Sequence, residues 1–207
     1  FIQGVGEADH VPADANGFTL PQHGDNSLRL LRRVGIADPT SLDDYLAQGG
    51  YRALRRALEM GADAVIDAVT ASGLSGRGGA AFPTGVKWRA VADQAGPSKH
   101  VVANADESEP GTLKDRIVME HDPFALVEAL TVAGLATGAR RGWIYIRGEY
   151  PLATRRLLDA IGSARAGGFL GDDLLGSGAS FEVELRRGAG AYICGEETAL
   201  FNSIEGQ

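Results

Sequence analysis

The chain has 207 residues, 44% of them hydrophobic and 23% charged, a composition that excludes a disordered or a collagen-like protein. It carries 20 Lys and Arg residues against 27 Asp and Glu residues, a formal net charge of −7, which argues against nucleic-acid binding. Its 29 glycines occur in clusters, where the backbone can approach a ligand closely. A phosphate-bearing ligand would have to be bound by such local groups.

Residues 1–40 are predicted to form an extended arm or linker, because Gly, Pro, Asp and His are spread there without periodicity. The missing initial Met, and an end at Gln207 just after a helix-like apolar run, predict a fragment of a longer protein. The single cysteine, Cys194, cannot form an intrachain disulfide, and no apolar run approaches the roughly 18 residues of a membrane span. A cytoplasmic location is therefore the default expectation. The spacing of the four histidines predicts no metal site.

Residues 41–72 predict a short helical segment before the main domain. Ser41 begins a capping-box-like sequence, and two glycines interrupt the first helix at 49–50. Apolar residues then recur at helical spacing to about residue 58, and a further helix is predicted over 63–71 with Gly73 as its end.

Residues 72–88 contain five glycines, including Gly76, Gly78 and Gly79, and the two cations Arg77 and Lys87. The Gly76-x-Gly78-x-x-Ala81 spacing matches a dinucleotide fingerprint only formally, because a helix rather than a strand is predicted to precede it. A Walker A loop is excluded, since no Gly-Lys-Ser/Thr follows. The segment is therefore interpreted as a backbone cradle for an anionic ligand, with a flexible surface loop as the alternative.

A short apolar run over 100–104 predicts a buried strand, and Asp106, Glu107 and Glu109 follow it. Ligands of open α/β sheets bind at the carboxyl ends of the strands. Carboxylates repel phosphate, so their expected partners in a nucleotide site are sugar hydroxyls and ring N–H groups. A solvated turn and a divalent metal remain as alternatives, although no oxygen-ligand loop of known spacing is visible.

The next 80 residues alternate between predicted strands and helices. A helix is predicted from Pro123 to Gly138, strands over 143–146 and 181–186, and a helix over 152–164 between them. This order predicts an α/β fold with a Rossmann-like parallel or mixed sheet and flanking helices, which we assign to residues 73–207.

The last predicted strand leads through glycines into a new helix at about residue 195. A helix N-terminus can bind phosphate through its free N–H groups, but Glu196 and Glu197 in the first turn would oppose phosphate at close range. These carboxylates are expected to face hydroxyls or amides. Cys194 has no neighbouring base that would make it a nucleophile.

Together, three segments resemble the flavin- and NADH-binding subunit of respiratory complex I (the 51 kDa type, or F subunit) and its relatives in NAD-linked hydrogenases and formate dehydrogenases. The resemblance covers about residues 45–207 and rests on Gly76-Arg77-Gly78-Gly79-Ala80-Ala81-Phe82-Pro83-Thr84-Gly85, Asn104-Ala105-Asp106-Glu107-Ser108-Glu109-Pro110-Gly111 and Gly188-Ala189-Gly190-Ala191-Tyr192-Ile193-Cys194-Gly195-Glu196-Glu197-Thr198.

The resemblance implies cofactor-binding roles for residues of all three segments. The contacts with FMN would come from Gly76, Gly78, Lys87, Asn104, Asp106, Gly195 and Glu196, with Arg77 and Gly79 in the same loop. Phe82 would flank the adenine of NADH, while Glu107, Glu109, Tyr192 and Glu197 would border its nicotinamide and ribose groups. Two positions depart from the family pattern, Ala81 where a glycine is usual and Phe201 where Leu, Ile or Met is expected.

The implied function is that of an NADH dehydrogenase (diaphorase) module, in which hydride passes from NADH to FMN without a side chain acting as acid or base. Electrons would then pass to iron–sulfur clusters, and the family's 4Fe–4S segment is expected beyond Gln207. The implied partners are a thioredoxin-like 2Fe–2S subunit and a larger iron–sulfur subunit, through which the protein could reach the cytoplasmic face of the inner membrane.

Three alternatives stay open. The same module could serve a formate dehydrogenase or an NAD-reducing hydrogenase, the fold could bind FMN or a nucleotide without catalysis, or the chain could be a flavin-independent nucleotide enzyme. No arginine cluster accompanies Glu197, so NADH is expected to be preferred over NADPH, whose 2′-phosphate this carboxylate would repel.

Overall fold

The computed structural model describes residues 28–77, 80–96, 98–188 and 200. The elements in chain order are α1 (Leu42–Ala47), α2 (Arg52–Met60), α3 (Ala62–Ala71), α4 (Thr84–Ala92), β1 (His100–Ala105), α5 (Lys114–His121), α6 (Pro123–Thr137), β2 (Arg141–Arg147), α7 (Pro151–Ala166), a 3₁₀ turn (Leu174–Gly176) and β3 (Glu182–Gly188).

The described strands form a parallel sheet in the order β1-β2-β3. His100 pairs with Arg141, and Arg141 in turn pairs with Glu182, so the three strands begin at the same edge. Helix α6 packs against all three strands, and α7 packs against α6 and β3. The predicted α/β class with a parallel sheet and flanking helices is confirmed.

The core lies between α6, α7 and one face of the sheet. The side chains that fill it are apolar and fully buried, among them Phe124, Val127, Ile144, Ile146, Leu157 and Val183. Burying a side chain of this size stabilises the fold by about 1.5–3 kcal/mol. The alternation predicted for β3 is seen at its start, where buried Val183 lies between the half-buried Glu182 and Glu184.

The helix ends follow local chemistry. The Ser41 side chain accepts a hydrogen bond from the backbone N–H of Asp44 (3.1 Å), so the predicted cap of α1 is confirmed. Helix α6 begins at Pro123 and is closed after Thr137 by Gly138, whose φ of 74° is the left-handed conformation that glycine favours. Helices α4 and α5 were not predicted, because glycines and charged residues obscure their apolar periodicity.

The first described residues form turns, where the sequence predicted an extended arm. Val34 and Ala37 are buried, and the Arg33 guanidinium pairs with the Asp122 carboxylate at 2.8–2.9 Å. Arg33 also lies over the ring of Tyr45 at 4.8 Å. These contacts attach the segment to α1 and to the start of α6, and no local sequence pattern predicts them.

A buried carboxylate in α6 connects the N-terminal helices to the sheet domain. Glu128 accepts hydrogen bonds from the Tyr45 hydroxyl (2.5 Å) and from the backbone N–H groups of Tyr51 (2.8 Å) and Leu54 (3.0 Å). Two of these donors lie at the start of α2, whose first N–H groups have no partner inside the helix. Glu128 therefore caps α2 from 74 residues away in sequence.

None of the helices within the described ranges is both long and apolar enough to cross a membrane.

Candidate functional site

The carboxyl edge of the sheet collects the charged residues that follow β1 and β2. Because the strands are parallel, Ala105 and Arg147 end at the same edge. Asp106 and Glu107 follow the first strand, while Glu149 and Tyr150 follow the second. This is the edge at which α/β sheets bind their ligands.

The Glu107 carboxylate is directed into the protein. It is buried, and its two oxygens accept hydrogen bonds from the backbone N–H groups of Asp115 (2.9 Å) and Arg116 (3.1 Å), at the start of α5. The Tyr150 hydroxyl lies 3.4 Å from the same carboxylate. Burial raises the pKa of Tyr150, and the neighbouring Glu107 charge raises it further. Glu107 therefore acts in this structure as a helix cap.

Asp106 is held by its neighbours in the same turn. Its backbone N–H donates to the side-chain oxygen of Asn104 (3.1 Å), and its carboxylate accepts from the Ser108 hydroxyl. Asn104 and Glu109 are exposed, so two of the predicted site residues remain accessible on this edge.

Arg147 joins the ends of the two strands, and sequence reasoning missed it. Its guanidinium donates to the carbonyl of Glu107 (2.6 Å), pairs with Glu149 at 3.2 Å and lies 3.9 Å from Asp106. The hydrogen bond from Arg147 lowers the pKa of Glu149. The available signal was positional, since a cation at the last residue of β2 must lie beside carboxylates that follow β1.

The glycine-rich loop closes on itself at its base. Ser75 bridges Pro83 in antiparallel fashion, and the backbone N–H of Gly76 donates to the carbonyl of Phe82 (2.8 Å). Ala81 has a φ of 49°, a left-handed conformation that costs a residue with a Cβ about 1–2 kcal/mol. A glycine, the residue that the resemblance implies at this position, would adopt this conformation without that cost.

Apolar and cationic side chains surround this loop on the surface. Phe82 is 53% exposed and Val86 is 50% exposed, while Arg77 and Lys87 are exposed cations. A ligand that combines an aromatic ring with a phosphate group needs apolar side chains for the ring and cations for the phosphate, so these residues fit FMN or a nucleotide. Gly85 has a different role, because a Cβ there would lie 2.1 Å from the Thr70 hydroxyl oxygen where α4 packs on α3.

The remaining predicted site residues, Gly78, Gly79, Tyr192, Gly195, Glu196 and Glu197, lie outside the described residues, as does the departure at Phe201.

Comparison with known proteins identifies the family. Residues 69–207 match the model of the Nuo51 FMN-binding domain (Complex1_51K). The chain belongs to this family. The resemblance inferred from the three motifs is thereby confirmed, as is the helix rather than strand that precedes the glycine-rich loop of this Nuo51-type domain.

Curated relatives of this Nuo51-type chain have two kinds of name. It is 54% identical over 179 residues to the F 2 subunit of NADH-quinone oxidoreductase in Rhizobium meliloti, and 52% identical over 178 residues to the corresponding F subunit in Aquifex aeolicus. It is 51% identical over 176 residues to the HndC subunit of the NADP-reducing hydrogenase of Solidesulfovibrio fructosivorans. These alignments cover 85–86% of the chain and 36–42% of the relatives, so the chain spans about two fifths of their length.

A solved structure has the same fold. The NAD⁺-reducing [NiFe]-hydrogenase in its H₂-reduced state contains a chain that matches with a TM-score of 0.69 at 35% identity. The match covers 87% of this chain and 28% of the hydrogenase chain.

Proposed function

We propose that the protein is the flavin-binding part of an NADH dehydrogenase module, which binds FMN and NADH, transfers hydride to FMN and delivers electrons to iron–sulfur clusters. The observation that carries this proposal is the exposed apolar side chains of Leu74, Phe82 and Val86, beside the exposed cations Arg77 and Lys87, in a domain of the Nuo51 FMN-binding family. When bound, FMN supplies the ring that takes up hydride and releases electrons one at a time. The chain's own residues have only to bind and orient the two cofactors.

In this proposal each exposed group of the loop and of the sheet edge has a binding role. Arg77 and Lys87 attract phosphate groups, and the exposed ring of Phe82 covers the adenine of NADH. Asn104 presents an amide to the flavin. The Asp106 side chain is only 5% exposed and already accepts from the Ser108 hydroxyl, so its proposed contact with FMN uses the remaining acceptor positions of its carboxylate. The backbone of Gly76, Gly78 and Gly79 approaches FMN closely, and Tyr192, Gly195, Glu196 and Glu197 complete the pocket.

The two glutamates after β1 receive different roles. Glu109 is exposed and can accept hydrogen bonds from a ribose. Glu107 is a positioning residue, because its oxygens are already bound by two backbone N–H groups of α5. It fixes the turn that carries Asp106 and Glu109, and in this way holds these two residues in place at the proposed NADH pocket.

The relatives named as NADH-quinone oxidoreductase and hydrogenase subunits support a place in a multi-subunit complex. We assign as direct partners a thioredoxin-like 2Fe–2S subunit and a larger iron–sulfur subunit, with a 4Fe–4S cluster in a further part of the same protein. A cytoplasmic location is part of the proposal. NADH-quinone oxidoreductase, hydrogenase and formate dehydrogenase remain alternatives for the complex to which the protein belongs.

The test uses the purified full-length protein. It should retain FMN, and anaerobic NADH should bleach the flavin absorbance. Phe82→Ala should keep FMN but weaken NADH binding, because loss of base stacking costs about 1–3 kcal/mol, roughly 5- to 150-fold. Leu158→Ala, which changes an equally exposed apolar residue on α7, is the matched control and should leave both unchanged. A colourless protein, or flavin that NADH fails to reduce, would refute the proposal.

A further inference from the structure

A second cleft lies at the edge of the sheet where the strands begin, opposite to the proposed flavin edge. It encloses about 450 Å³ and is lined by Lys99, His100, Arg140 and Arg141, together with residues 94–96 and Ser98 after α4 and Gly138 after α6. Lys99 and His100 lie at the start of β1, and the two arginines lie at the start of β2. The strands are six and seven residues long, so the two edges are about 20 Å apart.

The cleft has excess positive charge in a chain whose net charge is −7. Among the residues that the structure describes, its lining holds three permanent cations and no carboxylate. The C-terminal ends of α4 and α6 each contribute about half a negative charge, and the Lys99 ammonium donates to the Ala92 carbonyl at one of them (2.6 Å). Arg141 also lies 3.6 Å from Glu184. Even after these contributions, about one positive charge is left over.

Two groups of the cleft, the Arg140 guanidinium and the His100 imidazole, have N–H donors available for a ligand. Arg140 is exposed, and its side chain has no ion pair with any residue in the described ranges. The Nδ1 atom of His100 accepts a hydrogen bond from the Trp143 indole N–H (3.1 Å), so the proton of the neutral ring is on Nε2. An arginine fork, an ammonium and an imidazole N–H together match the oxygens of a phosphate anion.

We propose that this cleft binds a small multivalent phosphate anion of the diphosphate class. The C-terminal ends of α4 and α6 together carry about one negative charge, which one cation would balance, and Lys99 already provides that cation at the end of α4. His100 pairs with Arg141 at the start of the two strands, and Lys99 and Arg140 immediately precede them in the chain, so the cleft has two neighbouring pairs of donors. A single phosphate group would engage only one of these two pairs, which favours a ligand with two linked phosphates.

The test titrates inorganic diphosphate into the full-length, FMN-loaded protein by isothermal calorimetry at fixed ionic strength. Saturable binding with one site is expected, and Arg140→Gln/Arg141→Gln should weaken it at least about tenfold, as loss of two charged donors requires. Arg52→Gln/Arg56→Gln removes the same charge from exposed positions on α2 and should leave the affinity unchanged. Circular dichroism verifies that both variants are folded.

Parallel titrations with AMP and ADP identify the source of the phosphate. If ADP binds like diphosphate and loses affinity in Arg140→Gln/Arg141→Gln, the ligand is a nucleoside diphosphate; if only inorganic diphosphate does so, the ligand is the free anion. Equal weakening in both double variants would mean diffuse charge attraction and would overturn the proposal. So would diphosphate binding that NADH displaces and that the cleft variant leaves intact. Flavin bleaching by NADH, measured in the same samples, tests the proposed function separately.

Discussion

Tyr45 and Tyr51 pack edge to face in the core. Removing the hydroxyl group of Tyr45 should lower the free energy of unfolding, whereas removing that of Tyr51 should raise it. Their ring centroids are 5.4 Å apart, and both rings are fully buried. Burial raises the pKa of each hydroxyl, so both are protonated donors at neutral pH. The Tyr45 hydroxyl donates to the Glu128 carboxylate, whereas the Tyr51 hydroxyl is buried without a hydrogen-bond partner in the described part of the chain.

The magnitudes follow from these two environments. Tyr45→Phe removes a hydrogen bond to a charged group, so the free energy of unfolding should fall by about 1.5–3 kcal/mol. Tyr51→Phe removes a buried hydroxyl that had no compensation, so the free energy of unfolding should rise by about 1–2 kcal/mol. Each kcal/mol corresponds to about 2–4 °C in a domain of this size, which gives the two variants melting temperatures roughly 5–20 °C apart.

Thermal and urea unfolding of the full-length variants, followed by circular dichroism, measures the difference. Glu128→Gln provides a further check, because it weakens the acceptor and should reduce the cost of Tyr45→Phe without affecting Tyr51→Phe. Equal destabilisation by the two Tyr→Phe changes would refute the reasoning, since it would require a hydrogen-bond partner for the Tyr51 hydroxyl.

Four other changes test other contacts. Ala81→Gly should raise the free energy of unfolding by about 0.5–1 kcal/mol, because glycine tolerates the φ of 49°, and a thermal melt that shows a loss would contradict this. Arg33→Met leaves the buried Asp122 carboxylate unpaired, at a cost of about 3–5 kcal/mol near pH 7. Burial raises the pKa of Asp122 and Arg33 lowers it, so this pKa is higher still in the variant, and the cost should shrink as the pH falls through the pKa of Asp122 in the variant. Urea unfolding that is equally weakened near pH 7 and near pH 4.5 would argue against this. Glu107→Ala should cost about 2–4 kcal/mol by uncapping α5, and an unchanged melting temperature would exclude the capping role. Glu197→Gln should raise kcat/KM for NADPH relative to NADH by up to roughly a hundredfold, and an unchanged ratio would exclude a role in cofactor choice.

Local sequence determined the fold class and the family. Alternation in β3, the apolar run in β1 and the Pro123-to-Gly138 boundaries of α6 are short-range signals, and each reflects the conformational preferences of its own residues. The three motifs likewise specify a domain of the Nuo51 FMN-binding family, because each is a contiguous run of residues that are read together. The accessible Phe82 and Asn104 are among the candidate site residues that could be named in this way.

Tertiary structure decided which polar groups are available for binding. Glu107 and Glu109 are two positions apart and chemically alike, yet one carboxylate caps α5 and the other faces solvent. Arg147 reaches Glu107 only because β2 lies beside β1, and Glu128 caps a helix 74 residues away. A buried carboxylate must find donors wherever the fold places them, and those donors come from segments distant in sequence. Sequence alone therefore identified the charged residues of the domain, while the packing of strands and helices assigned each of them a partner.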